Sequence, residues 1–281
     1  MNAVYLVMHQ NKTNVKELTR QVVKALSSAQ IVVEAEPWLA ALMGEEAASL
    51  FQQGTFPCDA VVSVGGDGTL LRANQMATDK QLPLIGVNIG RMGFLAELEL
   101  EQLPAASLLL RKDQFSLENR MMLKAKCDDG SSLFALNDVV VSRGGYSRLI
   151  AVKAWVDQEL IGRYMADGLI VSTATGSTGY SLSAGGPIVC PGVDCIILCP
   201  VCPHSLQHRP VIISPKQTVT LELDCDLEQK AQLSVDGQKD LFLSARQKVT
   251  VTRAEKQALF IRLETKDFFS IVKRKLSEWS R

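Results

Sequence analysis

Charge imbalance is the first thing this sequence lacks: its 281 residues hold 30 Lys and Arg against 30 Asp and Glu. A chain without net charge has no whole-molecule basic field to gather nucleic acid or anionic lipid, which leaves only local basic pockets for such work. Long apolar runs are missing too, and no stretch approaches the roughly 18 residues that a membrane-spanning helix needs. The N-terminus MNAVYLVMHQNK has no basic lead, long apolar core or small-residue cleavage site of a signal peptide, so it reads as a short strand. Cysteine is sparse and odd in number, seven in all, which excludes a disulfide scaffold and suits a reducing cytosol. What remains is 47% hydrophobic and 21% charged, the composition of a globular chain of one large domain or two ordinary ones. The expectation is a cytoplasmic protein with no nucleic-acid or membrane partner.

The chain changes character near its middle. Residues 1–115 alternate apolar runs with helical patterns, as a layered α/β domain does. Ala3–Met8 is the first expected strand, after which Val15, Leu18, Val22, Val23 and Leu26 recur at helical spacing. Ile31–Val33 is a short strand. Pro37 suits the first turn of a helix carried by Trp38, Leu39, Leu42, Met43 and Leu50, and Gly54 suits its stop. Ala60–Val64 and Leu84–Val87 are further strands, and a helix is expected over Glu101–Arg111. From Phe115 the rhythm turns to period two with turn residues between runs. The strands expected there are Leu133–Ser142, Leu149–Asp157, Leu160–Thr173, Cys195–Cys199, Val211–Ile213, Val219–Leu223, Val249–Thr252 and Leu259–Leu263. Residues 116–262 are therefore expected to form a β-rich domain. In residues 263–281, Phe268, Ile271, Val272 and Leu276 share one helical face, so a last helix must dock somewhere.

Four glycine-bearing segments stand out. Val61 to Arg72 reads VVSVGGDGTLLR: an apolar strand runs into Gly65, Gly66 and Gly68, and Thr69 is placed to cap the helix that follows. Without Cβ atoms such a loop lets backbone N–H groups approach phosphate oxygens, and a helix N-terminus adds partial positive charge. The spacing is neither the G-x-x-x-x-G-K-[ST] phosphate loop nor the G-x-G-x-x-G dinucleotide fingerprint. Asp67 is out of place beside phosphates unless it binds a metal or accepts a proton from an attacking hydroxyl. At a reference pKa of about 3.9 an aspartate is ionised at neutral pH, as a base must be. A glycine-rich turn with a surface aspartate is the plainer alternative. Asn88 to Leu95, NIGRMGFL, also follows a strand directly; strand ends in an open α/β sheet form the ligand crevice, so both loops are expected at one site.

Asn137 and Asp138 interrupt the apolar run ALNDVVVS. A buried carboxamide or carboxylate needs partners, which ribose hydroxyls or a purine amino group would supply, although Asn-Asp is also turn chemistry. Asp167 to Pro187, DGLIVSTATGSTGYSLSAGGP, empties a strand into hydroxyls and glycines around a single aromatic. Small hydroxyls and bare backbone donate to polyanions, and Tyr180 offers a face or a phenol to a ring or sugar. A flexible Gly/Ser linker is the bland alternative, but linkers do not normally follow a buried strand.

Together these segments resemble the NAD kinase family, whose members phosphorylate the 2′-hydroxyl of the adenosine ribose of NAD to make NADP. The resemblance covers most of the chain. It rests on GGDGT at Gly65–Thr69, NIGRMGFL, the Asn137-Asp138 pair, Asp167–Pro187, CPHSL at Cys202–Leu206 and VDGQ at Val235–Gln238. It implies an α/β N-terminal domain with a Rossmann-like layered sheet, a β-rich C-terminal domain, and a C-terminal helix packing back on the first. It implies Asp67 as proton acceptor, with Gly65, Gly66, Gly68 and Thr69 by the incoming phosphates and Arg72 and Asn88 as nucleotide-site neighbours. Asn137 and Asp138 would hold NAD, with Arg148 and Asp167 nearby. Thr178, Gly179, Tyr180, Ser181, Leu182 and Ser183 would line the same pocket, and Gln238 would reach in from a later hairpin. The implied donor is ATP, or polyphosphate in some members; the implied cation is Mg²⁺, in no dedicated protein metal site; the implied assembly is a homodimer or homotetramer.

Two departures from the family pattern bear on the site. Met165 stands where several relatives carry Arg, which leaves Arg163 or another cation to substitute. STATGSTGYS has Ala174 and Gly179 where STPTGSTAYS is common, removing one φ restraint and adding backbone freedom. Diacylglycerol-type lipid kinases and phosphofructokinases carry elements like GGDGT, so a lipid or sphingoid kinase is one competing reading and a non-catalytic NAD-binding regulator another. The first asks for an apolar or membrane-facing surface, for which the sequence gives no sign beyond its short C-terminal helix; the second has no use for Asp67. Cys190, Cys195, Cys199 and Cys202, with His204 and His208, suggest zinc through the C-x-x-C spacing of Cys199 and Cys202. Against that, CIILC places Cys195 and Cys199 on a core-facing strand, and buried cysteine is common. His9 follows the first strand, where it would lie near the site or, more simply, at a solvated strand end, and Lys273, Arg274 and Lys275 read as a solvated helix end.

Overall fold

The alternating runs of the N-terminal half fold as a parallel sheet with helices between its strands. In chain order these are β1 (Ala3–Met8), α1 (Val15–Ser28), β2 (Val32–Ala35), α2 (Pro37–Met43), α3 (Ala47–Leu50), β3 (Ala60–Gly65), α4 (Asp67–Lys80), β4 (Leu84–Asn88), β5 (Leu98–Glu99) and α5 (Leu103–Arg111). A computed structural model describes residues 1–10, 13–52, 57–90, 93–144, 149–224, 231–263 and 268–279. Gly54, Arg91, Met92 and Arg148 lie outside the described residues. Strands β1, β3 and β4 are buried at every position, as parallel strands covered on both faces must be. The order is β2-β1-β3-β4, all parallel, with Val4 between Val33 and Ala60 and Val62 beside Ile85. Helix α1 turns Val15, Leu18, Val22 and Leu26 inward, and its buried Thr19 satisfies its hydroxyl on the Val15 carbonyl at 2.8 Å.

The second half continues with β6 (Ser116–Cys127), β7 (Ser132–Ala135), β8 (Asp138–Arg143), β9 (Ile150–Val156), β10 (Glu159–Ala166), β11 (Gly168–Thr173) and the short α6 (Tyr180–Ser183). Then come β12 (Ile196–Val201), β13 (Val211–Ile213), β14 (Val219–Leu223), β15 (Ala231–Val235), β16 (Lys239–Leu243), β17 (Lys248–Arg262) and α7 (Phe268–Trp279). The chain divides into two units, Met1–Asn119 with Ala258–Arg281, and Arg120–Gln257. The second unit is antiparallel. One of its ladders runs β13-β12-β11-β8-β15-β16 and the other β10-β9-β14-β17, with β6 beside β17 and β7. Val141, Leu169, Leu198 and Leu233 from the first ladder share a core with Val152, Ala154, Leu221 and Val249 from the second. In β14 and β15 burial alternates strictly, the period-two signature of a half-covered sheet.

Two expected strands are broken. The run Leu133–Ser142 parts at Leu136 and Asn137, and Leu160–Thr173 parts at Asp167, so that β10 and β11 join different ladders. The expected Val249–Thr252 and Leu259–Leu263 are instead one 15-residue strand, β17. The last residues of the chain belong to the first unit. Phe260 pairs beside Leu84 and Ile261 lies in that unit's core. Arg262 clasps the buried Glu97 at 2.8 Å and Glu118 at 2.5 Å, and the Leu263 N–H donates to Glu97 at 3.1 Å.

Candidate functional site

From β1 the chain goes out to β2 on one side and returns to β3 on the other. This makes the carboxyl ends of β1 and β3 a topological switch point, where open α/β sheets bind ligands. The chain leaves β3 at Gly65 and enters α4 at Asp67, and the N-cap position is taken by Gly66, not by Thr69 as the spacing suggested. Thr69 lies inside the first turn with its side chain packed over Gly65. Gly66 and Gly68 are exposed, with open space where side chains would stand, at the positive end of the α4 dipole.

Asp67 turns its carboxylate onto the loop after β4, accepting the N–H of Phe94 at 3.0 Å and of Leu95 at 3.4 Å. Glycine at 93 leaves room for this carboxylate, because a Cβ there would overlap it and displace it from the two amides. The two glycine-bearing loops of the first unit thus meet at Asp67. Burial pushes this carboxyl above its ordinary range; the two amides and the charge of Lys275 pull the other way without cancelling it. Lys275, read from the sequence as a solvated helix end, is only 8% exposed, whereas Lys273 and Arg274 are exposed. Its signal was the spacing: Phe268, Ile271, Val272 and Lys275 fall at i, i+3, i+4 and i+7, the stripe of an inward helix face. Leu276, the expected member of that stripe, is 43% exposed.

Arg72 and Asn88 are engaged within the fold. Arg72 pairs with the buried Glu36 and donates to the Met8 carbonyl at 2.6 Å, while Glu36 accepts the Met8 N–H at 3.2 Å. Asn88 bends over its own loop, donating to the Gly90 carbonyl at 2.9 Å and accepting the Gly90 N–H at 3.3 Å.

In the second unit the break between β7 and β8 is closed by the aspartate of the VDGQ motif, to which the sequence had assigned no role. Asp236, in the turn after β15, accepts the N–H groups of Leu136 at 2.8 Å, Asn137 at 2.7 Å and Asp138 at 3.1 Å. The Asn137 carbonyl accepts the Thr173 N–H at 2.9 Å and the Ser172 hydroxyl at 3.1 Å. Residue 176 must be glycine, since this carbonyl occupies the place of its Cβ. The side-chain Oδ1 of Asn137 is buried without a partner, a costly state that a ligand donor would relieve. Beside it the buried Asp138 carboxyl is pushed up to about 7, first by burial and then by the charge of Asp236. Burial also raises the Asp236 carboxyl, against the pull of its three amides.

Asp167 links β10 to β11 and pairs with Arg143 at 3.3 Å. Tyr180 is 47% exposed; partial burial is the largest of the causes that push its phenol up. The hydroxyls expected to face a polyanion largely serve the fold. Thr173 donates to the Leu136 carbonyl at 2.6 Å, Ser177 to the Val189 carbonyl at 3.2 Å and Thr178 to the Thr175 carbonyl at 3.2 Å. Ser181 Oγ is buried without a partner, Gly179 and Leu182 are half-buried, and Ser183 and Gln238 are exposed. Arg163, the expected stand-in for an arginine at 165, pairs with Asp224 at 2.6 Å. Cys195 and Cys199 are buried among Val140, Ile170 and Ile197. Among the described residues no group of three or more His, Cys, Asp or Glu is placed to hold a metal ion.

Residues 4–113 match the family model of the ATP-NAD kinase N-terminal domain, and residues 136–263 that of the ATP-NAD kinase C-terminal domain. An NAD kinase of Desulforamulus reducens is 36% identical over 99% of this chain and 98% of its own length. One of Moorella thermoacetica is 36% identical over 99% and 90%. The crystal structure of yeast NADH kinase complexed with NADH superposes with a TM-score of 0.81 at 26% identity, covering 95% of this chain and 84% of that one. An NAD kinase from Archaeoglobus fulgidus in complex with ATP gives 0.75 at 27% identity, covering 98% of each. Matched along nearly its whole length in sequence and in fold, the chain belongs to the NAD kinase family.

Proposed function

We propose that this protein transfers the terminal phosphoryl group of ATP to the 2′-hydroxyl of the adenosine ribose of NAD, giving NADP. The observation that carries the reading is Asp67, a carboxylate fastened by two amides at the start of α4 and made more basic by burial. A binding module has no need of such a group. As the ribose hydroxyl attacks, Asp67 takes its proton, help that is typically worth about 10²–10⁴-fold. Phosphoryl transfer passes through a loose transition state, so the remaining work is positioning and charge neutralisation. The open Gly66 and Gly68 at the α4 N-terminus suit the phosphates. Asn137 and Asp138 suit NAD: the unpartnered Oδ1 accepts from a hydroxyl or amino group, and the carboxyl accepts or donates with its protonation.

Mg²⁺ fits such a site without protein ligands of its own, because that ion keeps several waters and is bound largely through substrate phosphates. When bound it neutralises charge on the phosphate oxygens. Similarity over whole chains to NAD kinases favours this reading over a lipid kinase or a silent regulator. The NADH and ATP named for the two solved relatives support NAD or NADH as acceptor and ATP as donor; polyphosphate is a second donor to assay. No helix among the described residues is long and apolar enough to cross a membrane, and sparse cysteine suits the cytoplasm. We place the protein there as a homodimer or homotetramer, on the strength of the family resemblance, with sedimentation as the check. The function is tested by incubating purified protein with NAD, ATP and Mg²⁺ and detecting NADP with an NADP-specific dehydrogenase. Absence of NADP from folded protein would overturn it.

A further inference from the structure

The Asn137-Asp138 pair owes its place to an acid about a hundred residues further along the chain, 98 to 100 from its three partners. We propose that Asp236 is a positioning residue for the acceptor nucleotide, its carboxylate gathering three successive amides so that the Asn137 carboxamide and the Asp138 carboxyl are set before ligand arrives. This rests on the reading of Asn137 and Asp138 as NAD contacts.

Successive N–H groups converging on one point form a concave anion site, and here the anion is the protein's own. Oδ1 of Asp236 takes the amides of Asn137 and Asp138 while Oδ2 takes that of Leu136. The Asp236 N–H returns a bond to the Asp138 carbonyl at 3.0 Å. Turn and strand break are therefore one two-way clamp. Hydrogen bonds to an ionised acceptor are the stronger kind, and Asp236 and Gly237 take left-handed backbone, φ +51° and +61°, in the turn that carries this carboxylate. Asn137 is then held on both sides, its N–H by Asp236 and its carbonyl by Thr173 and Ser172. Its side-chain oxygen remains buried and unpartnered. Ordering before binding removes an entropic cost from the binding step. Burying Asp236 beside a second acid, Asp138, opposes folding, so stability alone does not account for the arrangement.

Asp236→Asn is the discriminating variant. A carboxamide has one accepting oxygen, which can keep the Asn137 and Asp138 amides, but its NH₂ would then oppose the Leu136 N–H. Losing a hydrogen bond to a charged group is worth about 10–100-fold in affinity. The Michaelis constant for NAD should rise by that factor while that for ATP moves less than about threefold. An unchanged NAD constant, or NAD and ATP constants rising together, overturns the proposal. Should the variant not fold, amide exchange in the wild type decides. Leu136, Asn137 and Asp138 should be protected before NAD is added; protection that appears only with NAD overturns the clamp. A wild type that makes no NADP removes the parent reading and this proposal's ligand with it. A wild type that does make NADP, with Asp236→Asn kinetically normal, overturns this proposal alone.

Discussion

Asp67 bears a desolvation cost that two amides and a lysine offset only in part, and the consequence is kinetic. A base whose carboxyl lies above the ordinary value of about 3.9 is lost to protonation at a higher pH than a free aspartate. The wild-type rate should therefore fall on an acid limb displaced to higher pH than a free aspartate gives, read from kcat/KM against pH; a limb at or below the free-aspartate position contradicts it. Asp138 makes the complementary statement about stability. Folded, it keeps its proton to about 7; unfolded, to about 3.9. Between those values the folded state binds more protons, so this group's contribution to stability is present at low pH and fades as pH rises through the window. Asp138→Asn should remove that slope, and thermal melts from pH 4 to 8 would show wild type and variant diverging if it does. Asn137→Ala should raise the Michaelis constant for NAD more than that for ATP; the reverse ratio moves this pair to the donor side.

Helix α7 shows what a single element adds to a distant loop. Lys275, buried among the inward stripe of that helix, lowers the Asp67 carboxyl. Lys275→Met keeps the length of the side chain and removes the charge, so the acid limb of the pH–rate profile should move to higher pH, while Lys275→Arg should leave it near the wild-type position. A limb that Lys275→Met does not move removes the lysine from the account. What the sequence disclosed and withheld follows from the range of the causes. Strands β1, β13 and β14 were legible to the residue, because apolar runs and their turn residues are local signals. Strand β6 was missed because SLENRMMLKAKC interrupts its apolar run with charges, whereas β15, AQLSV, alternates as VTLEL does and was passed over together with its partner β16, KDLFL. The break at Asp167 was hidden because the apolar pattern runs through it, although the chain changes ladder there. In the site, the glycine loops and Asn137-Asp138 announced themselves by composition. Asp236 stood within VDGQ, but its role did not show, since its partners lie 98 to 100 residues away, and neither did the turning of the Thr and Ser hydroxyls toward their own backbone.

On the scale of the molecule, the proposed reaction asks for two kinds of group, a base beside a glycine loop and a set of NAD contacts. NAD should accordingly raise the melting temperature, since a ligand at a hundred times its dissociation constant adds about 2.7 kcal/mol. Asn137→Ala should reduce the gain from NAD and spare the gain from ATP in the same assay. The most direct measurement is the initial rate of NADP formation from NAD, ATP and Mg²⁺ by the wild type and by Asp67→Asn, at saturating substrates and with both melting temperatures recorded. The expected result is a wild type that makes NADP and a folded variant slower by about 10²–10⁴-fold. A folded Asp67→Asn that works at the wild-type rate would contradict the account at its centre.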